Sequence, residues 1–249
     1  MSHDSSAILQ VSGLTKRYGG LTAVDGVDFS VGRGELVGLI GPNGAGKTTL
    51  FNLLMGLTPP SRGEIRLEGH RINGLKPHQV CRRGMVKTFQ NVALFPDLTV
   101  LDNVLTGGLL RLSLAEASAL AMVNLEKVGT AHIAHQRAAD LTFPEKALVE
   151  MARALCTQPK VVLLDEVMAA LNETEMDHVL ALIRKLRQDE GITFLVIEHH
   201  MRAIMNLCDR ILVLCFGQKI AEGNPREISQ NPEVISAYLG QDLAEEHGA

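Results

Sequence analysis

Four apolar runs stand out along the chain because they lack alternation: Leu36 to Ile40, Val161 to Leu164, Phe194 to Ile197 and Ile211 to Cys215. Continuous runs of this length suit strands covered on both faces, as in a parallel sheet flanked by helices. Between them lie helical patterns. The clearest runs from Glu173 to about Gln188, where Met176, Val179, Leu180 and Ile183 recur on one helical face. Asn172, followed three residues later by Glu175, supplies its N-terminal cap. The first part of the chain reads differently: LQVSGL, VDGVDFSV and GEIRLEG alternate or carry β-branched residues between Gly-rich turns, which predicts an antiparallel lobe. Leu101 to about Ala139 is rich in Leu, Ala and Glu with no strand-like run, which predicts an inserted helical lobe. Two short helices are expected in the tail, near Pro225 and Pro232, where proline suits a first helical turn. The pattern as a whole predicts an α/β fold with a mostly parallel sheet, an antiparallel β lobe and an inserted helical lobe.

Composition narrows the function. At 249 residues and 46% hydrophobic, the chain can bury a full core. A net charge of -4 gives no overall basic field, which argues against a nucleic-acid partner held by phosphate neutralisation. The N-terminal MSHDSSA lacks a basic stretch followed by an apolar run, and no apolar run approaches the roughly 20 residues of a membrane span, so a cytoplasmic protein is expected. Cys81, Cys156, Cys208 and Cys215 are scattered without paired spacings, which argues against a zinc site or disulfide framework and for buried thiols.

The candidate chemistry begins at Gly41, Pro42, Asn43, Gly44, Ala45, Gly46, Lys47 and Thr48, which read GPNGAGKT and fit G-x-x-x-x-G-K-[ST]. A strand at Leu36 to Ile40 precedes the motif, a helix from Thr48 to Leu57 is expected after it, and Thr49 extends the nucleotide-binding stretch. Glycines let backbone N–H groups curl around phosphates; Lys47 reaches the β- and γ-phosphates of ATP, and Thr48 places its hydroxyl on Mg2+. Asp165 and Glu166 end the run at Val161 to Leu164, at the carboxyl end of a buried strand, where open α/β sheets bind ligands. Asp165 is the candidate Mg2+ ligand and Glu166 the residue that orients or deprotonates the attacking water.

With these residues in order, the chain resembles the ATP-binding-cassette (ABC) ATPases over essentially its whole length. The resemblance implies a P-loop NTPase core with a single-domain layout: about 1–90 and 159–222 as core with β lobe, 91–158 as helical lobe, and 223–249 as helical tail. It also implies that Tyr18, in KRYGG, stacks on adenine. Gln90, in TFQN, would sense Mg2+ and water, and His199, in VIEHH, would contact the γ-phosphate. Within that family the segments GGLTAVDGVDF, PHQVCRRGMVKTFQNVALF and NPEVISAYLG resemble the ATPase subunits of branched-chain amino acid importers. A related ATPase of lipopolysaccharide export shares the YLG-type tail but matches TFQNVALF less well. The implied partners are integral membrane permease subunits, a second ATPase subunit and, indirectly, a periplasmic binding protein, with the chain on the cytoplasmic face of the membrane. Leu94, Phe95 and Pro96 are candidates for a groove that takes a permease helix or, equally, for packing within the helical lobe. A soluble ABC ATPase of DNA repair or translation is the competing class, although such proteins usually carry coiled-coil insertions or two cassettes. A regulator without turnover is opposed by the presence of both Glu166 and His199.

One segment departs from the family pattern. Where the family signature is usually LSGGQ, which closes over ATP held by a partner subunit, this chain has Leu141, Thr142, Phe143, Pro144 and Glu145. Pro144 has no backbone N–H, and Phe143 and Pro144 remove the freedom of glycine. The expectation is a heterodimer with unequal sites, with a homodimer as the alternative. Asn172 stands where many family members have Asp, and its capping role accounts for it.

Overall fold

The computed structural model describes residues 7–88, 93–169 and 171–245, the last seven of these by backbone alone. Along the chain, β1 (Ala7–Tyr18) and β2 (Leu21–Gly32) form a hairpin, β3 (Leu36–Ile40) leads into α1 (Lys47–Leu54), and β4 (Arg62–Leu67) and β5 (His70–Arg71) follow. Next come α2 (Pro77–Arg82), β6 (Met85–Lys87), α3 (Val100–Gly108), α4 (Leu114–Lys127), α5 (Phe143–Cys156), β7 (Val161–Asp165) and α6 (Glu173–Glu190). The remainder is β8 (Thr193–Ile197), α7 (Met201–Leu207), β9 (Arg210–Cys215), β10 (Gln218–Gly223), α8 (Pro225–Ser229) and α9 (Pro232–Glu245). Two compact units share this chain, one of residues 1–77 with 193–249 and one of residues 78–192.

In the first unit, β1 pairs antiparallel with β2 and β4, and β5 extends β4, giving the expected antiparallel lobe. β3 lies parallel between β8 and β9, with Leu36 opposite Phe194 and Val37 opposite Arg210, and β10 closes this sheet antiparallel to β9. Every residue of β3 and β8 is buried, as the unalternating sequence requires of strands covered on both faces. Arg210 ties the two sheets of this unit together: its guanidinium bonds Glu35 at 2.9 Å and the Ser30 carbonyl at 2.6 Å, and it pairs with Glu222. α9 packs on β10 and α8, burying Val234. Tyr238 of α9 accepts a hydrogen bond from the Gly41 N–H, and burial pushes its phenol above the ordinary range.

The second unit holds the helical lobe and the parallel pair β6 and β7. α3, α4 and α5 pack on one another. Glycine permits this closeness: a Cβ on Gly107 would lie 2.3 Å from the Arg153 carbonyl oxygen. Thr99 caps α3, Ser113 caps α4, and Asn172 caps α6 in the reciprocal arrangement with Glu175 that the sequence predicts. α6 runs on to Glu190 because its stop is Gly191, in the left-handed conformation at φ 67°. The helix after the phosphate loop is shorter than expected. It ends at Leu54, since Gly56 turns left-handed at φ 69° and Leu57 donates back to Asn52.

Two substitutions test this packing. Gly63 has φ 88°, and a Cβ there would meet the Gly13 carbonyl oxygen at 2.4 Å, so Gly63→Ala should cost about 2 kcal/mol or more in denaturant unfolding. Tyr238→Phe removes one hydrogen bond and little apolar area, and should cost about 1 kcal/mol in the same experiment.

Candidate functional site

The first unit contributes the phosphate loop. β3 ends in a backbone that only glycine can follow: Gly41, Gly44 and Gly46 have φ of 150°, 75° and 102°. A Cβ on Gly41 would lie 2.1 Å from the Leu214 carbonyl oxygen, and one on Gly46 would lie 2.4 Å from that of Ala23. Ala45 N–H donates to Pro42 O at 3.1 Å, closing the loop, and Gly217 N–H anchors it at Ala45 O, 3.0 Å. Lys47 is buried, with its ammonium donating to Gly41 O at 2.6 Å and Pro42 O at 3.0 Å, while Asn43, Gly44 and Thr48 are exposed. α1 has no side-chain cap at Gly46 and no acidic residue in its first turn. Its N-terminal amides and partial positive charge are thus available to an anion, with Thr48 and Thr49 beside them.

Also in this unit, Tyr18 ends β1 at the hairpin turn, 47% exposed, with the Lys16 ammonium 4.8 Å from its ring centroid. His199 follows β8 and is exposed. It adjoins Glu198, which is buried and has Oε2 3.9 Å from His200 Nδ1.

The second unit contributes the acidic pair. Asp165 closes β7 with its carboxylate buried, Oδ2 lying 2.8 Å from the Lys87 ammonium. Oδ1 is buried too and, among the described residues, finds no hydrogen-bond partner. Glu166 stands in the left-handed region at φ 53°, a conformation that costs a non-glycine residue of order 1 kcal/mol or more and recurs at functional sites. A magnesium ion suits these residues, because it takes one or two carboxylates and completes its shell with phosphates and water. The orphaned Oδ1 fits that role. No group of three or more His, Cys, Asp or Glu among the described residues forms an all-protein metal cage. Gln90 lies outside the described residues.

The variant segment, Leu141 to Glu145, turns out to be the start of α5. Thr142 is the N-cap, and Phe143, Pro144 and Glu145 form the first turn. Proline is harmless there, since first-turn amides have no partner within the helix. Glu145 accepts from both the N–H and the hydroxyl of Thr142, each at 2.8 Å, and these bonds hold its carboxyl below the usual range.

Sequence reasoning missed Lys87 and Tyr238. The only signal for Lys87 was a cation interrupting the short run from Met85 to Thr88, and for Tyr238 an aromatic in an otherwise ordinary amphipathic tail.

Comparison with known proteins agrees with this geometry. Residues 24–169 match the family model described as ABC transporter, and residues 218–244 match one described as branched-chain amino acid ATP-binding cassette transporter. The high-affinity branched-chain amino acid transport ATP-binding protein BraF of Pseudomonas aeruginosa is 44% identical, over 95% of this chain and 99% of that protein. The lipopolysaccharide export system ATP-binding protein LptB of Escherichia coli K12 is 35% identical, over 95% and 99%. The ADP conformation of MJ1267, an ATP-binding cassette of an ABC transporter, superposes with a TM-score of 0.86 at 31% identity, covering 94% of this chain and 99% of that one. With the phosphate loop in place, these matches show that the chain belongs to the ABC transporter family as one of its ATP-binding ATPase subunits.

Proposed function

We propose that this chain is the motor subunit of an importer for branched-chain amino acids or similar small polar solutes. The observation that carries the ATPase part is the phosphate loop, whose glycine-only backbone leads into a helix start without a side-chain cap, a place suited to phosphates. Support for the cargo is the second family match, at residues 218–244, with the higher identity to BraF than to LptB. Lipopolysaccharide export is therefore the weaker reading, and no feature of the chain favours a soluble, non-transport ATPase.

The residues divide the work as follows. Lys47 would leave the loop carbonyls for the β- and γ-phosphates, Thr48 and Asp165 would hold Mg2+, and Gln90 would attend the metal and the attacking water. Mg2+, when bound, neutralises charge on the phosphates. Glu166 would orient or accept a proton from the water, His199 would hold the γ-phosphate, and the exposed ring of Tyr18 would stack on adenine. The likeness to the transport ATP-binding protein BraF supports a subunit that works on integral permeases at the cytoplasmic face, served by a periplasmic binding protein; no helix among the described residues is long and apolar enough to cross a membrane. The permease contact would run through Asn91 to Leu98, where Phe95 and Leu98 are exposed.

The unequal-site reading gains support from Glu145. Thr142, the remaining hydroxyl of the variant signature, already donates to that carboxylate, and would have to give up the bond to reach a partner's γ-phosphate. A lost hydrogen bond to a charged group is worth about 1.5–3 kcal/mol, or roughly one to two powers of ten in rate. A heterodimer follows, in which this loop faces a better signature on a different subunit.

Two measurements test the proposal. Glu166→Gln should lower kcat for ATP at least about 100-fold while ATP binding holds or tightens; loss of binding together with turnover would contradict the role. The purified chain alone should hydrolyse ATP about 10- to 100-fold slower than with its partner ATPase. Full activity alone, unchanged by glycine at Phe143 and Pro144, would rule out unequal sites.

A further inference from the structure

β6 ends in a lysine whose charge points inward. It runs parallel to β7 with Lys87 opposite Leu163, and Thr88 continues the pairing by donating its N–H to Leu163 O at 2.9 Å. That register brings the Lys87 ammonium to 2.8 Å from Asp165 Oδ2, with the two side chains 6% and 2% exposed. Ion pairs this deep gain little net stability, because desolvation offsets most of their attraction, yet removing one partner strands the other charge. Among the described residues, only one carboxylate oxygen is engaged. Oδ1, equally buried, finds no partner among the described residues.

We propose that Lys87 is the resident counter-cation of the metal carboxylate. It is a positioning residue that neutralises Asp165 through Oδ2, leaves Oδ1 to the metal, and weakens the hold on Mg2+ until a nucleotide supplies phosphates. The inference rests on the reading of Asp165 as the Mg2+ carboxylate. An ammonium and a divalent cation that share one carboxylate repel each other, and burial keeps solvent from screening that repulsion. The carboxylate is thus kept folded and oriented without a metal, and Mg2+ binds when phosphate oxygens add to its shell. Lys87 also lines a cavity of about 330 Å³ with Glu150 and Arg153, so Glu150 is the alternative acidic group for its charge.

Thermal melting of the full chain in ADP, with Mg2+ or with EDTA, tests this on Lys87→Met, Lys87→Arg, Asp165→Asn and the Lys87→Met/Asp165→Asn double variant. In EDTA, Lys87→Met should melt about 10 °C below the unsubstituted chain, Lys87→Arg should stay near it, and the double variant should recover most of the loss. Lys87→Met should also gain more from Mg2+, with a half-maximal Mg2+ concentration lower by about tenfold or more. An equal loss with and without Asp165 would assign the lysine to Glu150 or to packing and overturn the proposal. So would an unchanged or weaker response to Mg2+. If Lys87→Met does not fold, a folded double variant supports the proposal and an unfolded one overturns it. Asp165→Asn that still gains normally from Mg2+ sinks the reading of Asp165, and the lysine proposal with it. Asp165→Asn that no longer responds, beside an unaltered response in Lys87→Met, sinks the lysine proposal alone.

Discussion

Two carbonyl oxygens, those of Leu214 and Ala23, occupy the space that side chains at Gly41 and Gly46 would need. This close approach of backbone to backbone is the constraint on which the first unit's share of the site depends. It forces glycine at both positions, permits the left-handed turn, and leaves α1 without a side-chain cap, a helix start whose partial positive charge suits an anion. Gly217 and Tyr238 then clamp the loop from the turn before β10 and from α9, through bonds to Ala45 O and from Gly41 N–H. The tail of the chain is thereby part of the loop's support.

A different constraint governs the second unit, where charge rather than backbone room is decisive. Asp165 and Lys87 are carried by adjacent parallel strands into a place where neither is well solvated, and Glu166 follows in a strained conformation. Such features add little to stability or lower it. The start of α5 shows the opposite balance: Thr142, Pro144 and Glu145 make a well-capped helix of a segment whose family counterpart serves a neighbour's ATP. Local stability, through the reciprocal cap of Thr142 and Glu145, sets the conformation there.

Much of this was legible in the sequence. The phosphate loop carries its own strand, turn and helix, so motif and context coincide; β3, β7, β8 and β9 show as unalternating runs; and Asn172 with Glu175 announces a cap. Short elements were not legible, since β5 and β6 are too brief to display a period, and β10 is a polar edge strand. The pairing of Lys87 with Asp165 and that of Tyr238 with Gly41 were hidden for another reason. Each depends on which strands or helices become neighbours, and spacing along the chain does not encode that. The start of α5 at Phe143, with Pro144 in its first turn, was not read from the sequence, although proline within a first turn is compatible with a helix.

The proposed role of this chain is that ATP held by the loop from Gly41 to Thr48 powers uptake through a permease. Its most direct test is radiolabelled leucine uptake into proteoliposomes carrying this chain with its partner ATPase, permeases and binding protein. Accumulation should require ATP on the side of this subunit and be lost when Lys47 is replaced by alanine. Uptake that proceeds undiminished with Lys47→Ala would contradict it.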